Sequence, residues 1–108
     1  MLIQLPQPLS KYFEASNAHD SDALVACFDA DATVHDEGKD MHGLDAIRAW
    51  NEENTRKYRF TTSPTEINQV GDRTVVTAQV AGTFDGSPIE LDFRFNLADG
   101  KIQALEIG

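Results

Sequence analysis

The stretch PIELDFRFNL, residues 88–97, alternates without a fault: Ile89, Leu91, Phe93, Phe95 and Leu97 are apolar, and Glu90, Asp92, Arg94 and Asn96 stand between them. Successive side chains of a strand point to opposite faces, so a period of two predicts a strand with one face in a core and the other in solvent. Related patterns run through RFTTSPTEINQV (59–70), RTVVTAQVAGTF (73–84) and KIQALEIG (101–108), and the separators GD, DGS and ADG read as hairpin turns. A four-stranded antiparallel meander is expected across the second half of the chain. Pro64 has no N–H to give to a ladder and is expected at an edge or a bulge.

Upstream the period changes to about 3.6. Leu9, Tyr12, Phe13 and Ser16 fall at helical spacing until NAHDSD (17–22) interrupts them. Asp20 or Ser21 can cap a second, shorter helix carrying Leu24, Val25 and Phe28, after which DADA (29–32) leads into the strand ATVH (32–35). Beyond Gly43, the positions Leu44, Ile47, Trp50, Asn51, Asn54 and Tyr58 predict a third helix that ends near Tyr58. Helices first and strands afterwards argue one α+β domain over residues 1–108, with helices covering one face of the sheet.

Composition narrows the function classes. The 108 residues carry 9 basic and 18 acidic side chains, a net charge of −9, which repels phosphate backbones and anionic lipid surfaces. Neither nucleic acid nor a membrane is an expected partner. The hydrophobic share of 41% suits a folded domain. MLIQLPQPLS lacks a basic leader and a long apolar run, and no later segment approaches the roughly 20 apolar residues that span a bilayer, so a soluble cytoplasmic protein is expected. Cys27, the single cysteine, sits in ALVACF and reads as a small buried hydrophobe.

The run KYFEASNAHDSDALVACFDADATVHDEG, then HGLDAIRAW, then LDFRFNLADGKI resembles the nuclear transport factor 2-like superfamily. Within it, the SnoaL-like polyketide cyclases and ketosteroid isomerases are the most similar branch. The informative parts are the N-A-x-D helix break, F-x-x-D-A-T leading into the first strand, the G-x-x-A-I helix start and the F-R-F strand. The resemblance implies a strongly curved, mainly antiparallel sheet wrapped around the N-terminal helices as an open, cone-shaped α+β barrel. It further implies a small-molecule pocket in the mouth and homodimers formed through the outer sheet face.

The residues at the end of the first strand carry the functional reading. Val34 and Asp36 share one strand face, Thr33 and His35 the other, so a buried Val34 brings Asp36 inward. A carboxylate there is desolvated, its pKa rises, and it becomes a better proton acceptor near neutral pH. The resemblance places the catalytic base of the ketosteroid isomerases at Asp36 and their oxyanion-donating tyrosine at Tyr12; that enzyme is itself a standard example of an Asp base working with an oxyanion hole. On spacing alone Tyr12 can also be read as a core aromatic, and Asp36 as a hydrated rim carboxylate. Val34, Trp50, Leu91 and Phe93 are expected to line the pocket. His42 is expected in a loop or at the pocket mouth, in reach of a ligand, and His35 on the outer face.

Two departures from the isomerases stand out. Leu91 occupies the place of their second, protonated oxyanion acid, and the neighbouring Asp92 has the parity of the outward face. Asn51 replaces an aromatic that supports their tyrosine. No H-x-x-x-H, C-x-x-C, nucleophile elbow, phosphate loop or dinucleotide fingerprint is present, so neither a metal nor a cofactor is expected. Three readings remain open: an isomerase or cyclase acting on a mostly apolar, neutral ligand, with Asp36 as base and Tyr12 as donor; a noncatalytic ligand carrier or sensor; and a dimeric interaction module.

Overall fold

Residues 5–108 are described in the computed structural model; the N-terminal reading above falls partly on residues 1–4, which lie outside the described residues. The elements follow the order α1 (Gln7–Ala18), α2 (Ser21–Val25), β1 (Phe28–Asp36), β2 (Lys39–His42), α3 (Leu44–Tyr58), β3 (Thr61–Val70), β4 (Arg73–Ala81), β5 (Ile89–Ala98) and β6 (Lys101–Ile107). The six strands form one curved sheet in the order β2-β1-β6-β5-β4-β3, which does not close, so β2 and β3 remain edges. The meander β3 to β6 is antiparallel throughout, with Val76 opposite Phe93 and Phe95 opposite Leu105. Pro64 lies on the edge strand β3 next to a register shift between Pro64 and Glu66.

The first helix begins where Pro6 and Pro8 fix the backbone, since proline in a first turn loses no helical hydrogen bond. It ends at His19, which takes a left-handed φ of 56°. Its stripe of Leu9, Tyr12, Phe13 and Ser16 is buried against the sheet, as the spacing predicts. Tyr12 meets Phe13, Phe95 and Phe28 edge to face, with ring centroids 5.0, 5.5 and 5.9 Å apart. Such pairs add about 0.5–1.5 kcal/mol each beyond burial. Asn17 secures the end of α1 to the edge strand: its Nδ2 donates to the Thr62 carbonyl at 2.8 Å, and its Oδ1 accepts from the Thr62 N–H at 2.7 Å.

Phe28 corrects the reading of α2. The helix, capped by Asp20 Oδ1 accepting from the Ala23 N–H at 3.1 Å, stops at Val25, and Phe28 opens β1 instead of closing the helix. The reason is tertiary: Phe28 pairs with Ile102 of β6, and the Cys27 carbonyl accepts from the Ile102 N–H at 2.8 Å. The first strand therefore includes DADA, which the sequence assigns to a connection. It runs parallel to β6, a pairing invisible in local patterning. Cys27 is buried, as its surroundings predict.

The hairpin β1–β2 is a second difference. Asp36 pairs with Lys39 across a two-residue turn, Glu37 and Gly38, whose φ angles are 53° and 75°. Two positive φ values are the signature of the type I′ hairpin, for which Asn-Gly and Asp-Gly are the usual signals. Glu-Gly is not among them, which hid this strand. Gly43 then caps α3 with φ 87°, a value L side chains rarely adopt, and its N–H donates to the Ala32 carbonyl at 2.9 Å.

The core gathers between α1, α3 and the sheet, with Phe95, Leu9, Leu24, Ile47, Ile102 and Val34 among its fully buried side chains. Among the described residues no helix is long and apolar enough to cross a membrane.

Candidate active site

One strand repeat decides what becomes of Val34 and Asp36. Both face inward, but Val34 is fully buried between its partners Met41 and Leu105, whereas Asp36, roughly 6.6 Å further along the strand, passes the end of the core. There it enters a cavity of about 230 Å³. Tyr12 and Ser16 of α1 line the same space, as do Trp50, Asn54 and Tyr58 of α3. Apolar walls come from Val80, Leu91, Phe93 and Ile107 on the strands and from Phe60 and Phe84 beside them. Val34 itself is part of the core and not a cavity wall.

The Asp36 carboxylate is held on several sides. Trp50 Nε1 donates to Asp36 Oδ2 at 2.9 Å, and the Asn54 side chain and the Glu37 N–H are polar neighbours that favour its charged form. Burial pushes its pKa above the ordinary carboxylate range, and the neighbouring Glu37 charge adds to this. The donated hydrogen bonds pull the other way without cancelling the rise. The result is a positioned, partly desolvated carboxylate with heightened proton affinity.

Tyr12 lies beneath it, 3% exposed. Burial, then the nearby Asp36, then Cys27 push the phenol pKa well above its usual value, so the hydroxyl keeps its proton and is available as a donor. Among the described residues, the one buried side-chain polar atom without a partner is Thr55 Oγ1.

Other sequence-predicted positions separate. Trp50, Leu91 and Phe93 reach the cavity; His42 does not. As part of β2, His42 pairs with Thr33, on the strand face opposite Asp36, and its Nδ1 is hydrogen-bonded to Thr33 Oγ1 at 2.9 Å. The unrecognised hairpin moved it from the mouth to the outside. His35 lies on that outer face beside Asp40, 2.6 Å away, and the hydrogen bond to that carboxylate pushes its pKa up. Asp92 also faces outward and accepts from Thr77 Oγ1 at 2.8 Å. Asn51 is buried away from the cavity, with Nδ2 donating to Ser21 Oγ at 3.2 Å to join α3 to α2.

Among the contributors without a functional reading in the sequence are Glu37, Asn54, Tyr58 and Phe84. Two of them carried a signal, because Trp50, Asn54 and Tyr58 succeed one another at i, i+4 and i+8 and so share one helix face. Glu37 reaches the mouth through the hairpin turn, where Tyr58 Oη donates to its carboxylate at 3.4 Å. Phe84 comes from the connection between β4 and β5 and meets Tyr58 edge to face at 5.8 Å. At this rim Gly82 passes so close to α3 that a Cβ there would stand 2.5 Å from the Tyr58 carbonyl oxygen. That oxygen accepts from the Thr83 N–H at 2.7 Å and from Thr83 Oγ1 at 3.0 Å. Among the described residues, no three His, Cys, Asp or Glu side chains converge as a metal site.

The sequence profile of the SnoaL-like domain matches residues 9–105. No curated protein matches the chain significantly. Among solved structures, a candidate polyketide cyclase from Sinorhizobium meliloti superposes with a TM-score of 0.92 at 38% identity, covering 96% of this chain and 95% of that one. A hypothetical protein with a ketosteroid isomerase-like fold from Catenulispora acidiphila, solved in complex with trimethylamine, gives 0.84 at 20% identity, covering 97% and 86%. The epoxide hydrolase/cyclase-like enzyme SalBIII, which has a role in pyran ring formation in the polyether salinomycin, gives 0.76 at 25% identity, covering 94% and 86%.

Proposed function

We propose that this chain, which belongs to the SnoaL-like domain family of the nuclear transport factor 2-like superfamily, binds a small hydrophobic carbonyl compound in the cavity at the end of β1 and transfers a proton next to the carbonyl. Asp36 is the base and Tyr12 the oxyanion donor. The observation that carries this reading is the shared cavity of a half-buried carboxylate with raised proton affinity, fixed by Trp50 at 2.9 Å, and a buried phenol that stays protonated. The similarity to a candidate polyketide cyclase and to a cyclase-like enzyme supports the broader class of cyclase or isomerase.

In the proposed step Asp36 takes the proton from the carbon beside the carbonyl, the C–H electron pair moves into an enolate, and the developing oxyanion accepts a hydrogen bond from Tyr12. The proton then returns from Asp36 to another carbon of the conjugated system, or the enolate carbon attacks an internal carbonyl carbon and closes a ring, the C=O π pair moves onto oxygen, and Asp36 returns its proton to that alkoxide. A positioned base contributes about 10²- to 10⁴-fold, and one oxyanion donor about 10²- to 10³-fold. The walls Leu91, Phe93 and Val80 exclude water from the reacting end.

Leu91 favours a second reading, a ligand carrier. It lines the cavity where the isomerases bring their second oxyanion acid, so the site has one side-chain oxyanion donor fewer. The test is the appearance of conjugated enone from a panel of β,γ-unsaturated ketones, followed by absorbance for wild type, Asp36→Asn and Tyr12→Phe. Turnover abolished by the first variant and reduced about 10²- to 10³-fold by the second is the expected result. Equal turnover in wild type and Asp36→Asn overturns the assignment, and binding without turnover in any form selects the carrier.

A further inference from the structure

The charged side chains that line the cavity are all of one sign. Asp36 and Glu37 line it, and no Lys, Arg or His is among the lining residues, in a chain whose net charge is −9. Low-dielectric walls concentrate such a field at a mouth instead of spreading it over the surface. The lining is also aromatic: Trp50, Tyr58, Phe60 and Phe84 contribute their rings. The Tyr58 ring already attracts a cation from outside, since Lys57 Nζ stands over it at 5.1 Å. Glu37 holds an uncommon place for this purpose. Its φ of 53° suits Asn or Gly better, yet the turn carries a carboxylate, hydrogen-bonded to Tyr58 Oη at the opening.

From this arrangement we infer that the occupant of the cavity carries a positive charge at the end that meets Glu37: a quaternary or protonated amine attached to an apolar body. The inference rests on the cavity being the ligand site proposed above, and it replaces the neutral ligand expected from the sequence. Carboxylate and aromatic faces together form the setting in which alkylammonium groups are recognised. The deep end, with Tyr12 and the strand walls, then receives the apolar carbonyl part, while the ammonium stays at the partly solvated rim and avoids the cost of full desolvation.

The test uses three compounds of matched shape: 4-acetyl-N,N,N-trimethylanilinium, its neutral isostere 4-tert-butylacetophenone and the anion 4-acetylbenzoate. Trp50 is the single tryptophan of the chain and lines the cavity, so its indole N–H resonance in a proton–nitrogen correlation spectrum reports occupancy without any need for turnover. The cation is expected to bind roughly tenfold or more tightly than the neutral ketone at low salt, and the anion not at all. Glu37→Gln is expected to bring the ratio of the two dissociation constants toward one. A neutral ketone that binds as tightly as the cation, or a ratio unmoved by Glu37→Gln, overturns the inference and leaves the proton-transfer reading standing. If none of the three perturbs the indole resonance, the cavity is not the ligand site and both proposals fall.

Discussion

Trp50 and Asp36 are joined by a hydrogen bond from indole Nε1 to carboxylate Oδ2, 2.9 Å long, that links the middle of α3 to the last residue of β1. It stabilises the ionised carboxylate and opposes the effect of burial. Trp50 is thus a positioning residue for Asp36, in addition to being a wall. In Trp50→Phe the ring volume is largely kept and the donor is lost, so the Asp36 pKa is expected to rise further. The acid limb of a pH–rate profile then moves to higher pH, a displacement that loss of packing alone does not produce.

Asp36 itself is expected to cost stability at neutral pH. Its folded pKa lies above the ordinary 3.8, so the folded chain holds this proton more tightly than the unfolded chain does. The stabilising contribution is complete below the ordinary value and is lost as pH rises through the raised one. Asp36→Asn removes the charge while keeping an oxygen for Trp50, and is expected to melt at a higher temperature than wild type at pH 7. The gap should narrow in acid, where wild type is also uncharged. Thermal unfolding at the two pH values checks both the sign and the trend.

The aromatic core below the site is expected to dominate stability. Phe95 is fully buried and packs against Tyr12 and Phe13, at 5.5 and 6.0 Å between ring centroids. Phe95→Ala is expected to cost about 3–5 kcal/mol, which denaturant titration measures directly.

The rim supplies a sterically different case. Gly82→Ala places a methyl group 2.5 Å from the Tyr58 carbonyl, and backbone, unlike a flexible side chain, cannot yield cheaply. A loss of about 1–3 kcal/mol is expected. Because Tyr58 lines the cavity, ligand affinity falls with it, a joint effect that calorimetry and the Trp50 resonance can separate.

The meander and two of the three helices were legible because each is amphipathic by itself: the alternation of residues 89–97 and the stripe Leu9, Tyr12, Phe13 need no partner to be recognised. Phe28 was misassigned because its place depends on Ile102, far along the chain. β2 escaped notice because a Glu-Gly turn replaces the usual chemistry, and with it went the position of His42. At the site, parity alone predicted that Asp36 turns inward with Val34. It could not predict that the core ends between them, so that one packs and the other opens onto the cavity.

The place of β6 has a consequence for how the chain folds. It lies between β1 and β5, antiparallel to the second and parallel to the first, with Val34 opposite Leu105. The α1–β2 segment and the β3–β5 hairpins can each form local contacts early, but β1 can find β6 only after a loop spanning most of the chain has closed. Docking of the final strand is therefore the step that brings the acid at the end of β1 against the walls on β5. The proposed site is complete only once that strand has docked, and a nascent chain still missing it lacks both the Ile107 wall and the strand that joins β1 to β5.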